Sequence, residues 1–113
     1  MALPRVISEK EIQNAILDYL ALLPNCIAFP VQNGAIFDPT RNIFRKPAKH
    51  WRKGVSDILG IFNGKPLAIE VKKPKSYASK EQKRFIEDYK FQGGIAFIAR
   101  SVQEVIDNLS TAT

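Results

Sequence analysis

The dipeptide Asn63-Gly64 limits the fold of this chain more than any other feature, because it separates the apolar runs "GVSDILGIF" and "KPLAIEVKK". Asn-Gly between two such runs predicts a β-hairpin, since a two-residue turn favours positive φ at both positions. A turn of fixed length also fixes which residues of the two strands face each other. If Phe62 pairs with Lys65, Asp57 lies directly opposite Glu70, with Cβ atoms about 5 Å apart on one face of the sheet.

The predicted hairpin carries charged side chains on a segment that otherwise suits a protein interior. Asp57, Glu70 and Lys72 share one face, whereas the alternating apolar residues Leu67, Ile69 and Val71 point to the other face and pack on a helix. Two like charges directly opposite each other are destabilising, and partial burial adds a desolvation penalty. A cationic group must therefore compensate for the two carboxylates.

The paired carboxylates predict a metal site. Two carboxylates at this separation form an all-oxygen site suited to Mg²⁺ or Mn²⁺. Lys72 can then position an attacking water or stabilise charge that develops on a phosphate, which is the chemistry of phosphodiester hydrolysis. The alternative is a structural Asp–Lys–Glu ion network on the solvated face of a hairpin.

Helix and strand patterns precede the hairpin. Ser8 and Glu11 match a capping box, so a helix is predicted to begin after Ser8 and to end before Pro24. The run 26–32 predicts a strand, and Pro30 within it indicates a sheet edge or a bulge.

The remaining elements complete an α/β domain. Residues 33–53 are predicted to be irregular, with at most a short strand at 42–44. Ser79 caps a second helix, 95–100 is an apolar strand, and Ser101 starts a closing helix. We therefore expect one domain spanning all 113 residues, with a mixed β-sheet flanked by helices in the order α-β-β-β-α-β-α.

The charge distribution indicates a polyanionic partner. The chain has 17 Lys+Arg against 11 Asp+Glu, a net charge of +6. The segment "RNIFRKPAKHWRK" (41–53) contains no acid, and its cationic residues alone account for that excess: Arg41, Arg45, Lys46, Lys49, Arg52 and Lys53. Such a patch predicts binding to nucleic acid, and the alternative is a solvated basic loop.

Other features narrow the class of protein. No apolar run approaches the roughly 18 residues that a membrane span needs, and the N-terminus lacks the apolar region of a signal peptide. A single cysteine, Cys26, excludes an internal disulfide framework. We expect a cytoplasmic protein that is not secreted and has no membrane partner.

The motifs together resemble a known nuclease family. Asp57 followed by Glu70-Val71-Lys72 resembles the PD-(D/E)XK nuclease signature, with Ser56 where that name has Pro. The segments "SEKEIQNAIL", "VQNGA", "GVSDI", "LAIEVKK", "SKEQKRFI" and "GGIAFIARS" are similar, in this order, to the VRR-NUC domain, the virus-type replication-repair nuclease. The resemblance covers nearly the whole chain.

The resemblance implies a Mg²⁺- or Mn²⁺-dependent nuclease with a restriction-endonuclease-like core and no organic cofactor. Its metal ligands would be Asp57, Glu70 and the backbone carbonyl of Val71, and its catalytic lysine would be Lys72.

Two further positions follow from the same resemblance. A glutamate of the first helix belongs to the family's site, and Glu9 fits that position better than Glu11, which is the capping-box acid. Gln82, from the family's S-x-x-Q motif, begins the helix after the Lys72 strand and would reach the site or a phosphate.

A free-standing domain of this size resembles the phage and bacterial members, which implies a homodimer that cuts branched DNA such as Holliday (four-way) junctions during repair or recombination. Apolar residues of the irregular segment are candidates for the dimer interface: Ile36, Phe37, Ile43 and Phe44. The alternatives are a nuclease acting on flaps, nicks or linear ends, a non-catalytic DNA-binding module of the same fold, and an RNA substrate.

Overall fold

The computed structural model describes residues 6–32, 36–45 and 49–112, apart from the side chains of residues 36, 37, 44 and 45. Three helices and six strands follow one another along this part of the chain: α1 (Glu9–Ala21), β1 (Cys26–Pro30), β2 (Ile36–Asp38), β3 (Ile43–Arg45), β4 (Ile58–Phe62), β5 (Lys65–Val71), α2 (Lys80–Phe91), β6 (Ile95–Ala99) and α3 (Val102–Thr111). Within it, no helix combines the length and apolar character needed to cross a membrane.

Four strands form a mixed sheet in the order β1-β4-β5-β6. β1 and β4 are antiparallel, as are β4 and β5, whereas β5 and β6 are parallel. β1 is an edge strand of the described sheet, as Pro30 indicated. It ends at Pro30, two residues before the predicted end at residue 32, although the Val31 N–H still donates to the Asp57 carbonyl. The predicted α/β class with a mixed, helix-flanked sheet is confirmed.

The β4–β5 hairpin has the predicted register. Asn63 and Gly64 both adopt positive φ, at 51° and 79°. Phe62 pairs with Lys65, and Ile58 pairs with Ile69 at the other end of the ladder. Asp57 therefore immediately precedes the paired part of β4, and Glu70 is the next residue along β5 after Ile69.

The helices cover the two faces of the sheet separately. α1 and α3 pack on one face, where apolar side chains form the larger core: Ile12, Ile16, Leu20, Ile58, Phe62, Leu67, Ile69, Val71, Phe97, Ala99, Val105 and Leu109. α2 packs on the other face, and its contacts form the smaller core: Ala68, Phe85, Ile86 and Ala96. Because side chains alternate along β5, Glu70 lies on the α2 side, beside Ala68.

The segment before the hairpin is more ordered than the sequence predicted. β2 and β3 form a separate antiparallel pair in which Asp38 faces Ile43. The Asp38 carboxylate accepts a hydrogen bond of 3.0 Å from the Thr40 N–H, which closes the turn. Asn42 enters β3 with a φ of 53°. The prediction missed β2 because three residues are too few to show a strand period.

Candidate active site

Asp57 is held at the junction of three strands. Its backbone carbonyl accepts a hydrogen bond of 2.8 Å from the Val31 N–H, just beyond β1. Its carboxylate Oδ2 accepts a hydrogen bond of 2.8 Å from the Val71 N–H of β5. The side chain thus continues the ladder where the β4–β5 pairing stops, which aims the carboxylate toward the Glu70–Lys72 segment.

Glu70 is buried among polar groups rather than exposed on a solvated face. The residue is only 1% exposed. Its Oε1 atom accepts a hydrogen bond of 2.9 Å from Gln82 Nε2 and lies 3.8 Å from Lys72 Nζ. Its Oε2 atom is also buried and has no hydrogen-bond partner among the described residues. One carboxyl oxygen is therefore anchored and the other has unused hydrogen-bonding capacity.

The environment strongly favours the neutral form of this carboxyl. Burial is the main cause that raises the pKa of Glu70 from 4.5 to about 8. The neighbouring Asp57 carboxylate raises this pKa further, Lys72 lowers it, and the charge of Glu9 raises it by a smaller amount. A bound cation would reverse the balance, because positive charge favours the ionised carboxylate.

Gln82 is oriented by the start of α2. Ser79 is the N-cap residue, and its Oγ accepts a hydrogen bond of 3.1 Å from the Gln82 N–H. Gln82 Oε1 in turn accepts a hydrogen bond of 2.8 Å from the Ser79 N–H. This reciprocal capping box leaves Gln82 Nε2 free to donate to Glu70.

Glu9 begins α1 and is exposed, and its charge acts on Glu70 across the site. Ser8 caps the helix by accepting a hydrogen bond of 3.1 Å from the Glu11 N–H, as the sequence predicted. Among the described residues, no group of three or more His, Cys, Asp or Glu side chains is gathered closely enough to hold a metal ion. The described acidic site is thus a carboxylate pair, with Glu9 more distant.

The predicted basic segment divides into two parts. Arg41 and Lys49 are exposed. Arg52 forms an ion pair with Asp88 of α2 and lies over the Phe85 ring, 5.3 Å from its centroid. Lys53 Nζ lies 3.8 Å from a Glu81 carboxylate oxygen. The Arg45 side chain and Lys46 lie outside the described residues.

Gly54 brings this segment against the helix that carries Gln82. Its φ is +88°, and a Cβ atom there would lie 2.5 Å from the Glu81 carbonyl group and 2.9 Å from the Gln82 nitrogen. Ser56 follows, fully buried, and its Oγ has no hydrogen-bond partner among the described residues. The sequence showed no signal for this docking, because the contact joins residues distant in the chain.

The fold is a mixed α/β domain, and at one end of its sheet the half-buried Asp57 lies beside the buried carboxyl of Glu70. The family model of the VRR-NUC domain matches residues 8–103. A solved structure of a VRR_NUC domain protein is similar, with a TM-score of 0.63 and 20% sequence identity over 96% of this chain and 90% of that chain. No curated protein matches the sequence. The chain belongs to the VRR-NUC family, which confirms the resemblance found in the sequence.

Proposed function

We propose that this protein is a Mg²⁺- or Mn²⁺-dependent endodeoxyribonuclease that hydrolyses phosphodiester bonds in branched DNA. The observation that carries the proposal is the pairing of Asp57 with a buried Glu70 that also faces Lys72 and Gln82. Two adjacent carboxyl groups, one of them buried, are unfavourable as a purely structural device. They are the groups that a divalent cation requires.

The residues present suit such a cation. Glu70 Oε2 is buried without a hydrogen-bond partner among the described residues, so it can coordinate an ion without breaking an existing bond there. Asp57 and the Val71 carbonyl would supply the other protein oxygens, and Glu9 would contribute from the start of α1. Mg²⁺ commonly uses one or two carboxylates and retains several waters, so a third close acid is not required. When bound, the cation polarises a phosphoryl oxygen and lowers the pKa of a bound water.

Other groups of the protein would orient the attacking water, stabilise charge on the phosphate and hold the two carboxylates in place. Lys72, with a side chain 15% exposed, would orient the attacking water or stabilise negative charge on the phosphate. Gln82 would hold Glu70 Oε1 in place. The Val71 N–H would keep Asp57 directed toward Glu70, because it donates to Oδ2 at 2.8 Å.

The basic segment would bind the DNA backbone. Arg41 and Lys49 are exposed and can contact phosphates directly. Arg52 and Lys53 would add positive charge while anchored to α2, and Arg45 and Lys46 belong to the same proposed surface. The anchoring connects the DNA-binding segment to the helix that orients Glu70.

A homodimer acting on four-way junctions is the form of the activity we propose. Two sites related by a two-fold axis can nick two strands of a junction symmetrically, whereas one monomer offers one site. Ile43 is 51% exposed and available for a dimer contact. The side chains of the other three predicted interface residues, Ile36, Phe37 and Phe44, lie outside the described part.

A cleavage panel tests the proposal. Purified protein and an Asp57→Asn variant are incubated with labelled four-way junction, flap and plain duplex DNA in Mg²⁺, Mn²⁺ or EDTA. We expect symmetric, metal-dependent nicking of the junction by the unmodified protein alone. Cleavage of flaps or ends instead would support the proposed active site but contradict the proposed preference for four-way junctions. DNA binding without cleavage in any metal would reject the nuclease in favour of a binding module.

A further inference from the structure

An exposed aromatic side chain projects from the loop that connects two residues of the proposed site. Tyr77 is 81% exposed, although a tyrosine ring normally buries much of its surface. It lies five residues after Lys72 and five before Gln82. Five residues span at most about 18 Å, so Tyr77 lies within that distance of both residues.

The loop is held in one shape by bonds on each side of this ring. Arg100 donates a hydrogen bond of 2.7 Å to the Ser76 carbonyl, and the Ser76 N–H donates one of 3.1 Å to the Lys73 carbonyl. Lys75 adopts a φ of 68°, and Ala78 is buried directly after Tyr77. The exposed ring is therefore presented by a fixed backbone rather than by a freely moving chain.

The charges around the ring indicate the chemistry of its ligand. Lys73, Lys75 and Lys80 are exposed on the same loop and at the start of α2. An exposed aromatic ring between cationic side chains is the combination that binds single-stranded nucleic acid, because bases stack on the ring while the cations contact the backbone.

We propose that Tyr77 is a stacking site for an unpaired nucleobase close to the phosphodiester bond that is cleaved. This inference rests on the proposed function, which places the cleaved phosphodiester bond at Asp57 and Glu70. It also explains why the protein would select branched DNA. DNA advances about 3.4 Å per nucleotide, so the base that Tyr77 reaches lies within about five nucleotides of the reacting phosphate. A fully paired duplex offers no free base face at that position.

The test uses binding in EDTA, so that it does not depend on cleavage. Fluorescence anisotropy measures the affinity of the protein for a forked DNA with unpaired arms and for a fully paired duplex of equal length. Tyr77→Ala should weaken binding to the fork by about 5- to 150-fold, the range for loss of one stacked base, and leave duplex binding unchanged. Tyr77→Phe should retain the affinity of the unmodified protein, since the ring remains.

Phe91 provides the matched control. It is 87% exposed but lies at the C-terminal end of α2, the opposite end of the helix from Gln82 and from the loop that carries Tyr77. Phe91→Ala should leave binding to both DNAs unchanged. Equal affinities of Tyr77→Ala and the unmodified protein for the fork would overturn the proposal, as would an equal loss on fork and duplex.

A spectroscopic measurement locates the contact directly. Trp51 is the single tryptophan, so a Trp51→Phe, Tyr77→Trp protein has one reporter in the loop. Its emission should be quenched by oligothymidine, whereas a Trp51→Phe, Phe91→Trp protein should show no quenching. Absence of quenching at position 77 would contradict stacking. Quenching by a protein that cleaves no DNA would support stacking while rejecting the nuclease, so the two proposals fail separately.

Discussion

The side chain of Gln82 joins the start of helix α2 to the Glu70 carboxyl. Gln82 Oε1 accepts from the Ser79 N–H at 2.8 Å, and Gln82 Nε2 donates to Glu70 Oε1 at 2.9 Å. The Gln82 amide therefore pairs with a backbone N–H at the start of α2 and also orients the buried Glu70 carboxyl. The two roles use different atoms, so they can be separated by substitution.

Gln82→Glu should reduce catalysis more than it reduces stability. The substituted carboxylate can still accept from the Ser79 N–H, but it cannot donate to Glu70 and it adds a like charge. Hydrogen bonds to charged groups contribute about 1.5–3 kcal/mol, so single-turnover cleavage should slow by about 10- to 100-fold.

Ser79→Ala is the matched control for Gln82→Glu. It removes the hydroxyl that caps α2 and should lower the free energy of unfolding by about 1 kcal/mol, with Gln82 Nε2 retained. If Ser79→Ala slowed cleavage as much as Gln82→Glu, the helix cap rather than the Glu70 contact would explain both results.

The raised pKa of Glu70 predicts a pH-dependent stability without metal. Between the usual value of 4.5 and about 8, folded Glu70 holds a proton that the unfolded chain releases, so its contribution to stability falls as pH rises through this window. Because glutamine cannot titrate, the Glu70→Gln variant lacks this pH dependence. In EDTA, its unfolding free energy minus that of the unmodified protein should therefore increase from pH 5 to pH 8. The increase should be on the order of a few kcal/mol.

Urea unfolding at the two pH values measures this difference. Glu87→Gln, on the exposed surface of α2, serves as the control and should show the same difference from the unmodified protein at both values. A Glu70→Gln difference that does not change with pH would show that the buried carboxyl is already ionised in the folded protein.

Gly54 and Gly64 differ in what surrounds a positive-φ glycine. Substitution of either glycine by alanine should lower the free energy of unfolding by about 1–2 kcal/mol, because the φ angles of +88° and +79° are unfavourable for a residue with a Cβ atom. Only Gly54→Ala also forces a Cβ against the Glu81 carbonyl, whereas nothing lies within 4 Å at Gly64. Gly54→Ala should therefore cost about 1–3 kcal/mol more in urea unfolding. Equal losses would mean that the segment does not dock on α2.

The basic segment predicts separate effects on binding and stability. Lys49→Ala should lower the slope of log affinity against log salt by about 0.9, the value for one phosphate contact, and Arg52→Ala should lower it by less, because Arg52 is already paired with Asp88. Only Arg52→Ala should also lower the unfolding free energy, by up to about 1 kcal/mol, because it loses Asp88 and Phe85. An unchanged slope for Lys49→Ala would remove this residue from the DNA surface.

Much of the site was predictable because one local signal fixed its geometry. Asn63-Gly64 set the register of Phe62 with Lys65, which placed Asp57 and Glu70 at adjacent positions of one hairpin. The helix caps Ser8, Ser79 and Ser101 were likewise local patterns, and all three accept the expected backbone hydrogen bond.

The rest depended on contacts between distant parts of the chain. The burial of Glu70 follows from the way α2 packs over the sheet, which no periodicity in β5 shows. The docking of Arg52 and Gly54 on α2, and the exposure of Tyr77, have no sequence pattern either. The burial of Glu70 raises the pKa of its carboxyl, and the other contacts shape the surroundings of the site.

Binding of Mn²⁺, measured by electron paramagnetic resonance, tests the central claim most directly, because it asks whether Asp57 and Glu70 form a metal site independently of any DNA substrate. The unmodified protein should bind Mn²⁺, and Asp57→Asn and Glu70→Gln should each weaken that binding by at least about tenfold, whereas Glu87→Gln should not. Equal Mn²⁺ affinity in the unmodified protein and both carboxylate variants would contradict the account.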